Sequence, residues 1–465
     1  MANTLTKAAQ VRKRLGNPYS FKNAVTRGGP IALLSCLVMG LGNFVAGQYV
    51  QGLLFLAIEV AYILFMAISK GGAYWLSMLP SLGWREMEKV WNDEKGFYEY
   101  KMGDQSQLIL LYGMATILIT VVFLLALYWS VRSGYRARCL KKEGKRLNTI
   151  VDDIRDLFDK RVHVLLMSLP VTALLIFTVT PLIYMMAMAF TNYSKVGDHL
   201  VLFDWVGLKN FSDILNVNSA VGKEFWGVLQ WTLIWAFFAT FLNFFMGTMV
   251  ALVINRKGTR LKSFWRGCLC VTIAVPQFVS LLTMRTLLQD QGYVNEFFRS
   301  MGWIAQDSAL PFFTNTTWAR VTVIVINLWV GIPYTIMQVT GILKNIPAEQ
   351  YEAATIDGAN TIQQFRHITL PYMIFVMTPY IITQFTGNIN NFNVIYLLSG
   401  GAPQSIENTA GSTDLLVTWL YKLSVDQQKY NLAAVIGILT FIVLSVVSLV
   451  TYRSSGSYKD EEGFK

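Results

Sequence analysis

Eight stretches of the chain are each long and apolar enough to cross a lipid bilayer, and nothing else in it constrains the fold as tightly. They lie near 50–69, 107–131, 164–190, 227–254, 263–287, 319–343, 372–398 and 431–452. A hydrocarbon core takes roughly 20 helical residues, and backbone amides inside it must find their partners within the protein. Only 14% of the 465 residues are charged, against about 25% in soluble domains. The chain is therefore predicted to be an all-α polytopic membrane protein of eight spans.

Basic residues set the orientation, because short cytoplasmic loops are enriched in Lys and Arg. Segment 132–162 holds ten Lys/Arg against five Asp/Glu, and 255–262 holds four with no acid. Both are predicted to face the cytoplasm, while 191–226, 288–318 and 399–430 lack the bias and are predicted outside. Residues 1–29 carry six basic residues (Lys7, Arg12, Lys13, Arg14, Lys22, Arg27) and no acid. Both termini are thus predicted cytoplasmic, and the basic head reads as a retained anchor rather than a cleaved signal. The net charge of +11 follows from topology and contact with anionic membrane lipid, and no nucleic-acid partner is expected. The apolar run 31–49 is broken by Gly40, Gly42, Asn43, Gly47 and Gln48. A ninth span there would violate the charge rule, so a re-entrant or interfacial hairpin is the preferred reading.

The spans divide the chain into an N-terminal accessory region, 1–162, with two of them, a six-span core, 163–455, and a short cytoplasmic tail, 456–465. Cys36, Cys139, Cys268 and Cys270 have neither CxxC nor metal-ligand spacing, so neither a disulfide framework nor a metal site is expected. No G-x-x-x-x-G-K-[ST] pattern occurs, and His163, His199 and His367 stand apart without an H-E-x-x-H pair. An enzyme is not expected, and no cofactor is expected in this chain. Glu59 is an acid inside an apolar run, outside the six-span core, and a structural or interfacial role is expected for it. A proton-driven carrier would show more such acids. The energy for any transport must then come from a partner.

Two polar stripes interrupt the apolar helices. Asn327, Val330, Gly331 and Tyr334 recur at i, i+3, i+4 and i+7, on one helical face. Gln384, Asn388 and Asn391 do the same, with Gly387 beside them. Amides offer donors and acceptors that match sugar hydroxyls, and an aromatic ring offers an apolar platform for a pyranose face. The same amides also serve elsewhere to join helices by interhelical hydrogen bonds. The stripes alone leave both readings open.

Between the two striped helices lies a polar, helix-forming loop, 344–371. It carries Glu352-Ala353-Ala354, then Gly358 three residues on, then Ile368-Thr369-Leu370-Pro371 after nine more. Residues 351–356 favour a helix and Gly358 permits a sharp bend, which predicts a helix-turn-helix protruding into the cytoplasm. Ala353 and Ala354 present a small face, and Glu352 a carboxylate for a basic partner residue.

That spacing is also the coupling-loop signature of binding-protein-dependent ABC importer permeases, and every anchor position matches. The chain resembles the larger, F-type permease subunit of maltose/maltodextrin importers across roughly 163–455. The similarity is densest at Asn327-Leu328-Trp329-Val330-Gly331-Ile332-Pro333-Tyr334, at Asn388-Ile389-Asn390-Asn391-Phe392 and at Thr413-Asp414-Leu415-Leu416-Val417. The resemblance implies a six-helix type I ABC importer permease core preceded by two accessory helices, in the bacterial plasma membrane. It implies a heterodimer with a second permease subunit, two ATP-binding cassette subunits at the coupling loop that hold ATP and Mg, and an extracytoplasmic sugar-binding protein. By motif match it places the sugar against Asn327, Val330, Gly331, Tyr334, Asn388 and Asn391, with Gln384 and Gly387 of the same stripe also expected at the site. The ATPase would be coupled through Glu352, Ala353, Ala354, Gly358, Ile368, Leu370 and Pro371.

Two positions depart from that family pattern. Gln384 stands where the best-known relatives have Ser, and Gly387 where they have Phe. The expected cargo is a malto-oligosaccharide, with a galacto-oligosaccharide or raffinose-type sugar as the alternative. The outer loop 191–226 is too short for the folded domain that grips the binding protein in enteric relatives.

Overall fold

A computed structural model describes residues 18–454 apart from 94 and 257. The predicted tail, 456–465, and the basic residues at 7–14 lie outside the described residues. The chain packs as two units, one running to Tyr193 and including Asp198–Trp205, the other comprising Ser194–Gly197 and the chain from Val206 onward.

The first unit begins with α1 (Phe21–Arg27), α2 (Gly29–Leu34) and α3 (Leu41–Ala46), followed by α4 (Tyr49–Ala67) and α5 (Gly72–Met78). Helices α2 and α3 have six residues each and are about 9 Å long, far short of a ~30 Å hydrocarbon core. The run 31–49 therefore holds two short helices and no single helix long enough to cross a membrane. Its irregular backbone is satisfied by side chains of neighbouring spans, the condition for such backbone near a membrane. The Met39 N–H donates to Glu59 Oε2 at 2.7 Å, and the Gly40 N–H donates to Ser130 Oγ at 2.8 Å. Asn43, fully buried, donates to Ser133 Oγ at 3.0 Å. Glu59 thus has a structural partner within its own unit.

Strands β1 (Glu88–Asn92) and β2 (Phe97–Lys101) form an antiparallel hairpin in register Glu88↔Lys101 to Asn92↔Phe97. Helix α6 (Ser106–Lys142) has 37 residues, so at ~55 Å it continues well past the apolar core into the Arg/Lys-rich segment. Lys141 and Lys142 in its last turn complement the helix dipole. After α7 (Ile150–Phe158), the third span runs through α8 (Val162–Leu174), a π-helical turn and α9 (Thr180–Met188). None of the apolar window of that span is buried within the protein.

The second unit contains α10 (Lys209–Leu215), α11 (Ala220–Phe237), α12 (Asn243–Asn255), α13 (Lys262–Ala274), α14 (Gln277–Leu287) and α15 (Tyr293–Ser300). It continues with α16 (Thr316–Asn345), α17 (Ala348–Ile356), α18 (Thr361–Gln364), α19 (Leu370–Ile389), α20 (Phe392–Val394), α21 (Leu416–Tyr421) and α22 (Tyr430–Ser454). Helices α11 and α12 join through a π-helical turn into one run, Ala220–Asn255. Helices α13 and α14 are bent by 89° at Pro276, which cannot donate to the preceding turn. Among the described residues seven helices are long and apolar enough to cross a membrane, and the bent pair makes eight. The run expected to continue to 398 instead ends at Ile389. Asn391 there turns its side chain onto the backbone, accepting from the Val394 N–H at 3.2 Å, and starts a new short helix.

Two apolar clusters hold this unit. Trp231 and Trp235 of α11 pack with Leu281, Val323, Ile395 and Leu398. Ala251 and Ile254 of α12 pack with Ile336, Val339, Met373 and Met377. The second cluster locks α12, α16 and α19 side by side, which fixes the two striped helices relative to one another.

Candidate functional site

Both polar stripes lie in the second unit, on neighbouring helices, but their side chains have different duties. Asn327 is 6% exposed and Tyr334 is 47% exposed. The side chains of Asn327, Tyr334 and Gln384 make no hydrogen bond to another described residue, although the backbone of each is bonded within its helix. Gln384 and Gly387 are exposed, and a Cβ placed on Gly387 would have no atom within 4 Å. Val330 is half-buried against the Trp231 cluster.

Asn388 is largely committed. Its Nδ2 donates to Thr240 Oγ1 at 2.9 Å, its backbone carbonyl accepts from Trp235 Nε1 at 3.1 Å, and its Oδ1 accepts from Asn391 Nδ2 at 3.3 Å. This is the interhelical tie that the sequence left open as an alternative, and here it coexists with free amides one or two turns away.

Gly331 is there because of a residue the sequence reading passed over. A Cβ on Gly331 would lie 2.0 Å from Nδ2 of Asn243, so α12 and α16 touch at this level. Asn243 Oδ1 is buried with no hydrogen-bond partner. Asn243, Thr240, Thr335, Tyr380 and Gln384 line a void of about 10 Å³, roughly the room one water needs. An amide interrupting the apolar run 227–254 was the available signal for this polar cluster.

The face bearing Tyr334 continues down α16 through Met337 and Gly341 to Lys344. There it borders a cavity of about 460 Å³ whose other wall is Ser263, Arg266, Gly267 and Cys270 of α13. From Tyr334 onward this face and the cavity form a continuous exposed track along one helix toward the loop 344–371.

The loop itself is a rigid helix-turn-helix. Helix α17 carries Glu352, Ala353 and Ala354, the first two exposed and the third half-buried. It closes in a Schellman arrangement, with the Gly358 N–H on Thr355 O at 3.1 Å and the Ala359 N–H on Ala354 O at 2.8 Å. Gly358 has φ +79°, the left-handed region that glycine enters without steric cost. Asn360 and Gln363 form a capping box that starts α18. Two ties lock the hairpin: Tyr351 Oη and Thr369 Oγ1 are 2.8 Å apart, and Gln364 Nε2 donates to Thr355 Oγ1 at 3.0 Å. Ile368 and Leu370 are half-buried, and Pro371 occupies the first turn of α19, where its missing N–H costs nothing. Ile356 and Ile362 at the tip are 87% and 76% exposed, an apolar surface for another molecule to cover.

Residues 243–455 match the family described as binding-protein-dependent transport system inner membrane component. The chain is 33% identical over 434 residues to the galactooligosaccharides transport system permease protein GanP of Bacillus subtilis, covering 93% of this chain and 99% of that one. It is 32% identical over 439 residues to the maltodextrin transport system permease protein MdxF of Bacillus subtilis, covering 92% and 96%. With the maltose/maltodextrin transport system permease protein MalF of Escherichia coli it shares 33% identity over 255 residues, 54% of this chain and 49% of that one. A solved bacterial ABC transporter involved in import of the acidic polysaccharide alginate superposes with TM-score 0.54 at 21% identity, covering 64% of this chain and 96% of that chain. At that identity it speaks to the fold alone.

Proposed function

The chain belongs to the binding-protein-dependent transport system inner membrane component family, and from that premise we propose that it is the larger permease subunit of an ATP-driven importer of malto-oligosaccharides. It is a multi-pass membrane protein of the ABC permease type, and its orientation in this reading puts both termini and the loop 344–371 in the cytoplasm. The chain has no nucleotide-binding site of its own. ATP and Mg are held by two partner ATPase subunits, a second permease subunit completes the path, and an extracytoplasmic binding protein delivers the sugar. The third span, with its apolar window uncovered, is a surface that the second permease and lipid would cover.

One observation carries the reading: the loop is locked at both ends, its tip is apolar and exposed, and it leads directly into the two helices that bear the polar stripes. Movement imposed on the tip by a nucleotide-driven partner is transmitted to the stripes as rigid-body movement. Asn327, Tyr334 and Gln384 offer unpartnered donors, acceptors and one aromatic face without net charge, which suits a neutral polyhydroxylated cargo. Asn388 and Asn391 shape the site, with Val330, Gly331 and Gly387 leaving room for the sugar ring. The track past Met337 and Gly341 to the 460 Å³ cavity would be the route of release.

The alternative cargo is a galacto-oligosaccharide or raffinose-type sugar. It is kept because the chain is about as similar to a galactooligosaccharides permease, 33% identical over 93% of this chain, as to a maltodextrin permease, 32% over 92%. A single experiment separates the two. ATP hydrolysis by the assembled complex with its binding protein is measured across maltodextrins, galacto-oligosaccharides and raffinose. Stimulation by maltodextrins alone is expected; stimulation by another sugar alone would reassign the cargo, and stimulation by none would remove the sugar reading.

A further inference from the structure

The first unit contains a cavity that nothing in the transport cycle uses. Its volume is about 490 Å³, and it is lined by Tyr19, Trp129, Arg132, Ser133, Arg136 and Arg161. Four of these sit on α6 at i, i+3, i+4 and i+7, one continuous face of a single helix. Arg161 comes from the residue just before α8, and Tyr19 from the segment before α1.

Three arginines line the cavity and, among the described residues, none is in an ion pair; Asp159, two residues before Arg161, forms none with them either. Among the described residues none of the ion pairs includes Arg132, Arg136 or Arg161. The nearby acids of α7 are engaged elsewhere, Asp152 by Thr149 and Arg146, Asp153 by Asn148, and Asp156 by Lys160. Arg132 Nε donates to the Tyr19 carbonyl at 3.2 Å, which holds its guanidinium at the cavity wall and leaves the Nη groups available. Clustering like charges without a partner is unfavourable unless an anion completes the set.

Depth within the membrane names the anion. The cavity lies where the apolar run of α6 gives way to its basic extension, the level of the phosphate layer. Trp129 is 60% exposed at the same level, as boundary Trp side chains are. Arg recognises phosphate oxygens in a bidentate fork, and Ser133 adds a neutral donor. A basic pocket beside a spanning helix is the expected form of a headgroup site.

We propose that this cavity binds the phosphodiester headgroup of an anionic phospholipid, with Arg132, Arg136 and Arg161 around the phosphate and Trp129 against the glycerol and upper acyl region. The site stands on the first unit alone and is independent of which sugar is carried. A bound lipid would tie α6 to the start of the third span at the membrane surface.

The test is native mass spectrometry of the intact purified transporter complex titrated with phosphatidylglycerol and, separately, with phosphatidylcholine. The variants are R136Q/R161Q and the charge-conserving R136K/R161K. Arg136 and Arg161 are exposed and make no internal side-chain hydrogen bond, so both variants are expected to assemble. Phosphatidylglycerol should bind in preference to phosphatidylcholine, weaken roughly tenfold in R136Q/R161Q, and be largely retained in R136K/R161K. Equal binding of both lipids, no change in R136Q/R161Q, or equal loss in both variants would overturn the proposal. Inorganic phosphate supplies the last arm. Displacement of phosphatidylglycerol by millimolar phosphate would make this a free-anion site and refute the lipid assignment.

Discussion

Gly331 of α16 and Asn243 of α12 approach so closely that a methyl group on the glycine would sit 2.0 Å from the Asn243 amide nitrogen. The contact sets the spacing of two helices at the level of the free amides, and Asn243 keeps a buried, unpartnered carbonyl oxygen beside it. Gly331→Ala should therefore cost about 1–3 kcal/mol by overpacking and lower the melting temperature of the purified complex. The double variant Gly331→Ala/Asn243→Ala should recover most of that loss. A double variant no more stable than Gly331→Ala would show that the clash lies elsewhere.

Gly358 is required at its position by backbone conformation, not space, since no atom lies within 4 Å of a would-be Cβ. Its φ of +79° costs an L-residue about 1–2 kcal/mol. Gly358→Ala should lower the melting temperature modestly, in keeping with that strain, and splay the tip, so that sugar-stimulated ATP hydrolysis falls severalfold. Normal stimulation in this variant would argue that the tip is not the point of coupling.

Asp414 and Lys422 form a buried ion pair at 2.6 Å, and the same carboxylate accepts from the Gly411 N–H at 2.7 Å and Thr418 Oγ1 at 2.9 Å. Removing one partner strands the other charge. Asp414→Asn should destabilise the protein by about 3–5 kcal/mol, read as early thermal unfolding, whereas Lys422→Met with Asp414→Asn, which removes both charges and keeps an acceptor for Gly411 and Thr418, should cost less.

Glu59 accepts from the Met39 N–H, and Gln in its place retains an acceptor without the charge. Glu59→Gln should lower stability by about 1 kcal/mol while uptake per folded complex is unchanged. A large drop in uptake at normal stability would instead point to a role for this acid in transport.

Much of the architecture was legible in the sequence because membrane spans are read from length and hydropathy alone. The break in the run 31–49 was visible at Gly40 and Gly47, which flank a six-residue helix, whereas 263–287 reads as one span and the 89° bend within it appears only in the fold. The hairpin of β1 and β2 was not anticipated, because Glu88, Lys89, Glu99 and Lys101 spread charge over both faces and leave no alternating apolar pattern. The stripes were visible as faces of single helices, whereas the partners of those faces were not. Thr240 and Asn243 meet Asn388 and Gly331 across 148 and 88 positions of chain respectively, a pairing that only packing reveals. The commitment of Asn388 to Thr240, and the freedom of Asn327, are likewise properties of neighbours and not of residue type.

ATP-driven import is tested by uptake into proteoliposomes containing the assembled complex, with ATP enclosed and the loaded binding protein outside. Labelled maltotriose should accumulate against its gradient, dependent on ATP and unaffected by a protonophore. Accumulation that continues without ATP and collapses with the protonophore would contradict ATP-driven import.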